Sequence, residues 1–289
     1  MQFFIPMAFN DIDHYVAIAQ RAEDCGYSGI AVCDHVAMPA DIGSKYPYVP
    51  DGKPFWDPTV DWPEPWSVIS AMAAVTERLR FVTYVYIMPL RHPITTAKGV
   101  ATAARLSGNR LSLGVGLGWM REEFEALGMS PKARGARTDE GIEVFRKLMS
   151  GELVGHEGEH YSFKPLRIRP VPTRPVPVLV GGVSEKALER AARLGDGWMS
   201  VSHSFEELAS MISKIEEGRR AAGRGGLPFD VFGACDEVRD ADGYKVLDEA
   251  GVTSTPVLPW RYYGKNGDGL DEKLAAMERF AEEVIRALG

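Results

Sequence analysis

A chain of 289 residues with 33 Lys+Arg against 40 Asp+Glu carries a formal net charge of −7. No basic excess is available for nucleic-acid phosphates or an anionic membrane surface. Its 45% hydrophobic and 25% charged residues exclude a disordered or collagen-like chain, and a chain this long buries a core without disulfide staples. Three scattered cysteines (Cys25, Cys33 and Cys235) make neither a disulfide framework nor a thiolate cage, which fits a reducing cytoplasm. The first thirteen residues lack the basic n-region of a signal peptide, and no apolar run reaches membrane-spanning length.

Residues 2–7 form an apolar run read as a buried strand. Asn10, Asp11 and Asp13 offer caps for a helix that Gly26 stops. Residues 29–32 are a second strand, ending in Cys33-Asp34-His35. Residues 36–65 then hold seven prolines with Tyr46, Tyr48, Phe55, Trp56 and Trp62 between them. Loops of that length inside compact folds are usually functional. The alternation resumes with a helix at 67–76, a strand at 79–88, a helix at 93–107 and a strand at 110–115. Helical stretches at 122–127 and 138–149 precede a second irregular segment, 151–176. Strands at 178–180, 197–201, 229–232 and 252–257 alternate with helices at 184–194, 205–222, 244–250 and 271–288.

Eight strand candidates, each followed by a helix, imply a parallel sheet with helices outside. At this length the pattern predicts an α/β fold of the (β/α)8 TIM-barrel type, one domain over 1–289, with long irregular insertions after strand 2 and before strand 5. The runner-up is a doubly wound open sheet. In a barrel the chemistry sits at the carboxyl ends of the strands.

Three of those ends carry signals. Gly181-Gly182-Val183-Ser184 lets the backbone approach a ligand and starts a helix whose free N–H groups attract an anion. The alternative is a plain capped turn. Gly114, Gly116 and Gly118 strip one strand face of side chains, leaving room for a flat ring or marking a crowded barrel interior. Asp34-His35 reads as an acid/base pair, a metal pair or a hydrogen-bonded corner. Of six histidines only His35 and His92 fall at such ends, which supports no metal site. His156-Glu157-Gly158-Glu159-His160 matches H-E-x-x-H, but Gly155 and Gly158 interrupt the helix that zinc chemistry would need, so the segment is read as a surface hairpin.

These pieces resemble the luciferase-like monooxygenase superfamily of flavin- and coenzyme F420-dependent barrels. The carrying segments are Val32-Cys33-Asp34-His35, Leu90-Arg91-His92-Pro93, Leu106-Ser107-Gly108-Asn109-Arg110, Leu113 through Trp119 with Glu122 through Gly128, Arg134 through Glu140, Val180-Gly181-Gly182 and Ala192 through Trp198. Ser44 through Tyr48 and Asp51-Gly52 are similar to the actinobacterial F420-dependent branch. The resemblance implies a homodimeric oxidoreductase exchanging hydride between F420 and an organic substrate under the 36–65 loop. The alternatives are an FMN-dependent monooxygenase or a non-catalytic flavin-binding barrel; a metal-assisted hydrolase barrel is a further competing class. It implies His35 as proton donor or orienting group together with Asp34. Thr83, Tyr84 and Val85 would form a bulge behind the ring, often with a non-proline cis peptide. Pro6, Gly116, Gly118 and Trp119 would line the cofactor, and Gly181, Gly182, Val183 and Ser184 would hold its phosphate. Trp119 stands where the sugar-phosphate dehydrogenase branch has a proton-donating Glu, Gly116 where luciferase has a Cys, and Cys33 where Ser is usual.

Overall fold

The computed structural model describes residues 1–288. Its strands are β1 (Gln2–Pro6), β2 (Gly29–Val32), β3 (Arg80–Thr83), β4 (Tyr86–Ile87), β5 (Leu111–Gly116), β6 (Val154–Glu157), β7 (Ser162–Leu166), β8 (Val178–Gly181), β9 (Gly197–His203), β10 (Asp230–Cys235) and β11 (Ser254–Pro256). The helices are α1 (Tyr15–Asp24), α2 (Pro65–Ala73), α3 (Pro93–Leu106), α4 (Arg121–Ala126), α5 (Arg134–Met149), α6 (Glu185–Leu194), α7 (Phe205–Ala221), α8 (Ala241–Glu249), α9 (Pro259–Tyr262) and α10 (Leu270–Phe280). The strands pair in the order β3-β2-β1-β11-β10-β9-β8-β5-β4, and β3 also pairs with β5, so the sheet closes on itself. Every ladder in it is parallel. With β3 and β4 sharing one stave, this is a closed eight-stave TIM barrel. Closure removes the exposed edges that an open sheet would leave.

The strand period of two sorts the side chains into two cores. Phe4, Ala31, Val82, Leu179, Met199 and Phe232 point inward and fill the barrel. Their neighbours Phe3, Ile5, Ile30, Phe81, Val178 and Val180 point outward and pack with the helices. Helix starts follow local chemistry. Proline opens α2 and α3, where its missing N–H costs nothing. Ser204 caps α7 in a reciprocal box with Glu207. Among the described residues no helix is long and apolar enough to cross a membrane.

Several boundaries differ from the sequence expectation. The expected strand 79–88 breaks at a cis Tyr84–Val85 peptide into β3 and β4, then turns through a 3-10 segment at Met88–Leu90. The first expected helix begins with 3-10 residues Ile12–His14 before α1. The closing helix is regular only to Phe280 and continues as a π segment at Ala281–Ile285 and a 3-10 turn. Residues 151–176, read as irregular apart from a surface hairpin around 156–160, do contain an antiparallel hairpin, β6–β7; α9 was not foreseen.

Candidate active site

Asp34 and His35 follow β2 at the carboxyl end of the barrel, and their side chains go to different partners. Asp34 is buried, and its carboxylate takes a bidentate pair of N–H groups from Arg91, with Nη2 at 2.8 Å from Oδ1. The Ile87 backbone N–H also donates to Oδ2 at 2.8 Å. Burial works against the Arg91 charge, but the Asp34 carboxylate outweighs it and holds the guanidinium above its ordinary pKa. The Arg91 plane lies over the Tyr86 ring at 4.5 Å. Asp34 therefore ties the end of β2 to β4 and has no free oxygen facing the mouth.

His35 is held by Glu123, at the start of α4. His35 Nδ1 lies 3.1 Å from Glu123 Oε2, and Glu123 Oε1 accepts from the Val36 and Ala37 backbone N–H groups. Glu123 is 1% exposed. A carboxylate can only accept, so this contact places a proton on Nδ1, and in the neutral ring the lone pair then falls on Nε2. Among the described residues no partner takes Nε2.

An aromatic box closes over His35. The Trp62 ring stands edge-on to it at 4.7 Å and Trp119 at 6.2 Å. Trp56 packs on Trp62, Trp119, Tyr46 and Phe9, with centroids 4.9 to 6.1 Å apart. Phe9, just after β1, reaches this cluster from a left-handed backbone at φ 62°, unusual for a bulky residue. The loop supplying Tyr46, Phe55, Trp56 and Trp62 is anchored by Glu122, whose Oε1 accepts from the Gly43 and Ser44 N–H groups at 3.0 and 2.9 Å. The indole Nε1 atoms of Trp56 and Trp62 are buried without a hydrogen-bond partner among the described residues. Cys33 is no nucleophile: burial pushes its thiol up to about 12.

The floor beneath the box decides between the two readings of the alternating glycines. A side chain at Gly114 would strike the Thr83 carbonyl and the Met199 sulfur, and one at Gly116 would strike Val85. Val85 also faces Gly181. The glycines thus make room for the Tyr84–Val85 bulge and a crowded interior, and the bulge, not bare strand, forms the floor. Thr83 Oγ1 donates to the Gly114 carbonyl at 2.8 Å and the Tyr84 hydroxyl to the Ser200 carbonyl, which fix that bulge on both sides. Pro6 ends β1 beside Ala31 in the β1–β2 ladder.

Gly181 and Gly182 lead into α6. Gly182 sits at φ 122°, its N–H donates to the Met199 carbonyl, and Trp198 Nε1 donates to its carbonyl at 2.8 Å. The Ser184 side chain accepts from Ala187 N, which leaves the other N–H groups of the first turn without partners inside the helix. A cavity of about 330 Å³ lies beside Gly118 and Trp119, lined also by Ser44, Lys45, Arg121 and Arg134. Among the described residues neither Lys45 nor Arg134 pairs with a carboxylate.

Residues 2–235 match the family model described as luciferase-like monooxygenase. The chain belongs to this family. An uncharacterised protein from Mycobacterium tuberculosis is 37% identical over 288 residues, covering 99% of both chains. The F420-dependent hydroxymycolic acid dehydrogenase of Mycobacterium tuberculosis is 28% identical over 215 residues, 73% of this chain and 55% of that one. The fold is similar to that of an F420-dependent secondary alcohol dehydrogenase solved with an F420-acetone adduct, with TM-score 0.77, 18% identity and coverage of 100% and 99%. Luciferase-like proteins are oxidoreductases and monooxygenases, and this barrel carries the family's matching segments across most of its length.

The remaining candidates lie elsewhere. His92 caps α3 through Nδ1 at 3.2 Å from Ile94 N, and burial lowers its pKa. His156 lies in β6 and His160 in the turn after it, on no common helix face. Sequence reasoning assigned no role to Glu123 or Arg91. Their signal was indirect: Glu123 precedes the buried Phe124 on a helix entering from a strand end, so one of two adjacent glutamates had to turn inward.

Proposed function

We propose that the protein exchanges hydride between coenzyme F420 and a small organic substrate held beneath the 36–65 loop. The observation that carries this reading is His35, buried at the carboxyl end of the barrel with Nδ1 fixed by Glu123 and Nε2 left for a ligand. The residues present fit such a cofactor. The Val85 bulge offers a floor for a flat ring, the Gly181-Gly182 turn and α6 offer N–H groups to a phosphate, and Lys45 and Arg134 favour an anionic tail. When bound, the deazaflavin supplies the redox chemistry by taking or giving a hydride.

The protein's own part is positioning and proton transfer. With the lone pair on Nε2, His35 takes a proton from a substrate hydroxyl, or returns one to a carbonyl in the reverse direction. Glu123 stabilises the imidazolium formed in between and keeps the ring aimed. Asp34 and Arg91 hold the end of β2 against β4 and exchange no proton. The aromatic box excludes water, so charge developing at His35 is screened less.

Titration of the purified protein with F420 and with FMN, followed by cofactor fluorescence and by melting temperature, tests the reading. Saturable F420 binding with a raised melting temperature is expected. Preference for FMN would favour the monooxygenase chemistry of the family, and no response to either would contradict the proposal.

A further inference from the structure

The two unpartnered indoles say more about the ligand than the histidine does. Trp56 and Trp62 each bury an N–H donor; the Trp62 ring stands against His35 and the Trp56 ring packs 5.9 Å from Trp62. A buried donor without an acceptor is costly, and native proteins leave few of them. The rings around them (Phe9, Tyr46, Phe55 and Trp119) bring apolar surface and no charge. The charges nearest His35 are spoken for: Arg91 is held by Asp34, and Glu123 adds a negative charge behind His35, while the unpaired Lys45 and Arg134 line the cavity beside Trp119. Such a site repels a phosphate or carboxylate and attracts one neutral acceptor on an apolar body.

Building on the oxidoreductase reading above, we propose that Trp56 and Trp62 are the specificity residues for a neutral, apolar substrate, each able to donate an indole N–H to its carbonyl or hydroxyl oxygen. The oxygen that accepts from the indoles is thereby presented to His35 Nε2. The charged cavity beside Trp119 serves the cofactor's anionic tail and not the substrate.

Calorimetric titration of the full chain with acetophenone, ethylbenzene and 4-acetylbenzoate tests this without requiring turnover. The first two share an aromatic body and differ in the acceptor oxygen; the third adds a negative charge. Acetophenone is expected to bind most tightly. Trp56→Phe and Trp62→Phe keep a ring and remove the donor, and each should weaken acetophenone about fivefold while leaving ethylbenzene unchanged. The ethylbenzene comparison reads the same effect in the unaltered protein, so a variant that misfolds does not decide the matter. Equal binding of acetophenone and ethylbenzene, unchanged acetophenone affinity in both variants, or tighter binding of 4-acetylbenzoate would each overturn the proposal. The cofactor titration is separate. If F420 and FMN both fail while the acetophenone preference holds, the redox reading falls and the substrate assignment stands; the reverse pattern sinks only the substrate assignment.

Discussion

Two histidine–glutamate pairs among the described residues, one buried and one half-buried, have nearly the same length. His35 Nδ1 lies 3.1 Å from Glu123, and His156 Nε2 lies 3.0 Å from Glu140. Their histidine side chains are 8% and 7% exposed, so burial of the imidazole does not separate them. Each glutamate also accepts backbone N–H groups, Glu123 from Val36 and Ala37, Glu140 from His160 and Tyr161. The difference lies in the other ring nitrogen. His156 Nδ1 meets Lys147 Nζ at 3.3 Å, so both its nitrogens are engaged and the pair pins the β6–β7 hairpin to α5. His35 Nε2 has no such partner among the described residues, at the end of the barrel where strands, bulge and helix N-terminus converge. A His–carboxylate contact alone therefore does not mark chemistry; the role proposed for His35 rests on its second nitrogen, unpaired among the described residues, at the carboxyl end of the barrel.

Substitutions should separate the pairs most at the histidines. His35→Ala is expected to lower F420-linked turnover by about 10²- to 10⁴-fold, the range for a lost general acid–base. His156→Ala should change turnover less than twofold. Steady-state rates on any accepted alcohol or ketone check both, and similar losses in the two variants would erase the distinction drawn here.

The next effect in size concerns the support of His35. Arg91→Met strands the Asp34 carboxylate in the interior and should cost about 3–5 kcal/mol of unfolding free energy in urea titrations. Asp34→Asn combined with Arg91→Met should recover part of that loss, because no charge is then left buried. Full additivity of the two single effects would mean that the pair is not coupled.

Replacing the glutamates sharpens the contrast. Glu123→Gln and Glu140→Gln should each destabilise the fold by about 1–3 kcal/mol through weakened buried hydrogen bonds. Only Glu123→Gln should also depress turnover and alter its pH profile, because only there does a histidine carry a proton between states.

The smallest expected effect is in acid. Burial raises the Glu140 pKa, but N–H groups of His160 and Tyr161 and the His156 ring outweigh it and hold the carboxyl below its ordinary value. Glu122 is lowered in the same way, against burial, by Ser44 and the Gly43 and Ser44 N–H groups. A depressed folded pKa contributes stability that is complete above the unfolded value, about 4.3, and is lost as pH falls through the folded one. The protection of the hairpin amides and of residues 43–45, measured relative to the intrinsic exchange rate at each pH, should accordingly fall below about pH 4 and hold steady from about pH 5 to 7. Glu140→Gln should abolish the acid step in the hairpin alone.

The barrel was legible because its signals are local and repeated: apolar runs such as 29–32 and 178–180, each followed by a capped helix. The break between β3 and β4 was not legible in the residue pattern, since residues 79–88 read as one continuous β-branched and aromatic strand; only the family resemblance led to the expectation of a bulge at Thr83, Tyr84 and Val85. His35 and Gly181-Gly182 stood out from their places at strand ends. Which partner each side chain takes is a long-range matter. Asp34 and His35 are adjacent in the chain, yet one reaches Arg91 and the other Glu123, and no spacing rule connects those positions.

Hydrogen–deuterium exchange of the full chain with and without F420 tests the central claim most directly, since it needs no substrate. Binding at the His35 end predicts slower exchange of the amides in 83–87, 116–119 and 182–187, with the hairpin 154–166 unchanged. Protection confined to the hairpin, or none at saturating F420, would contradict the assignment of that end of the barrel as the active site.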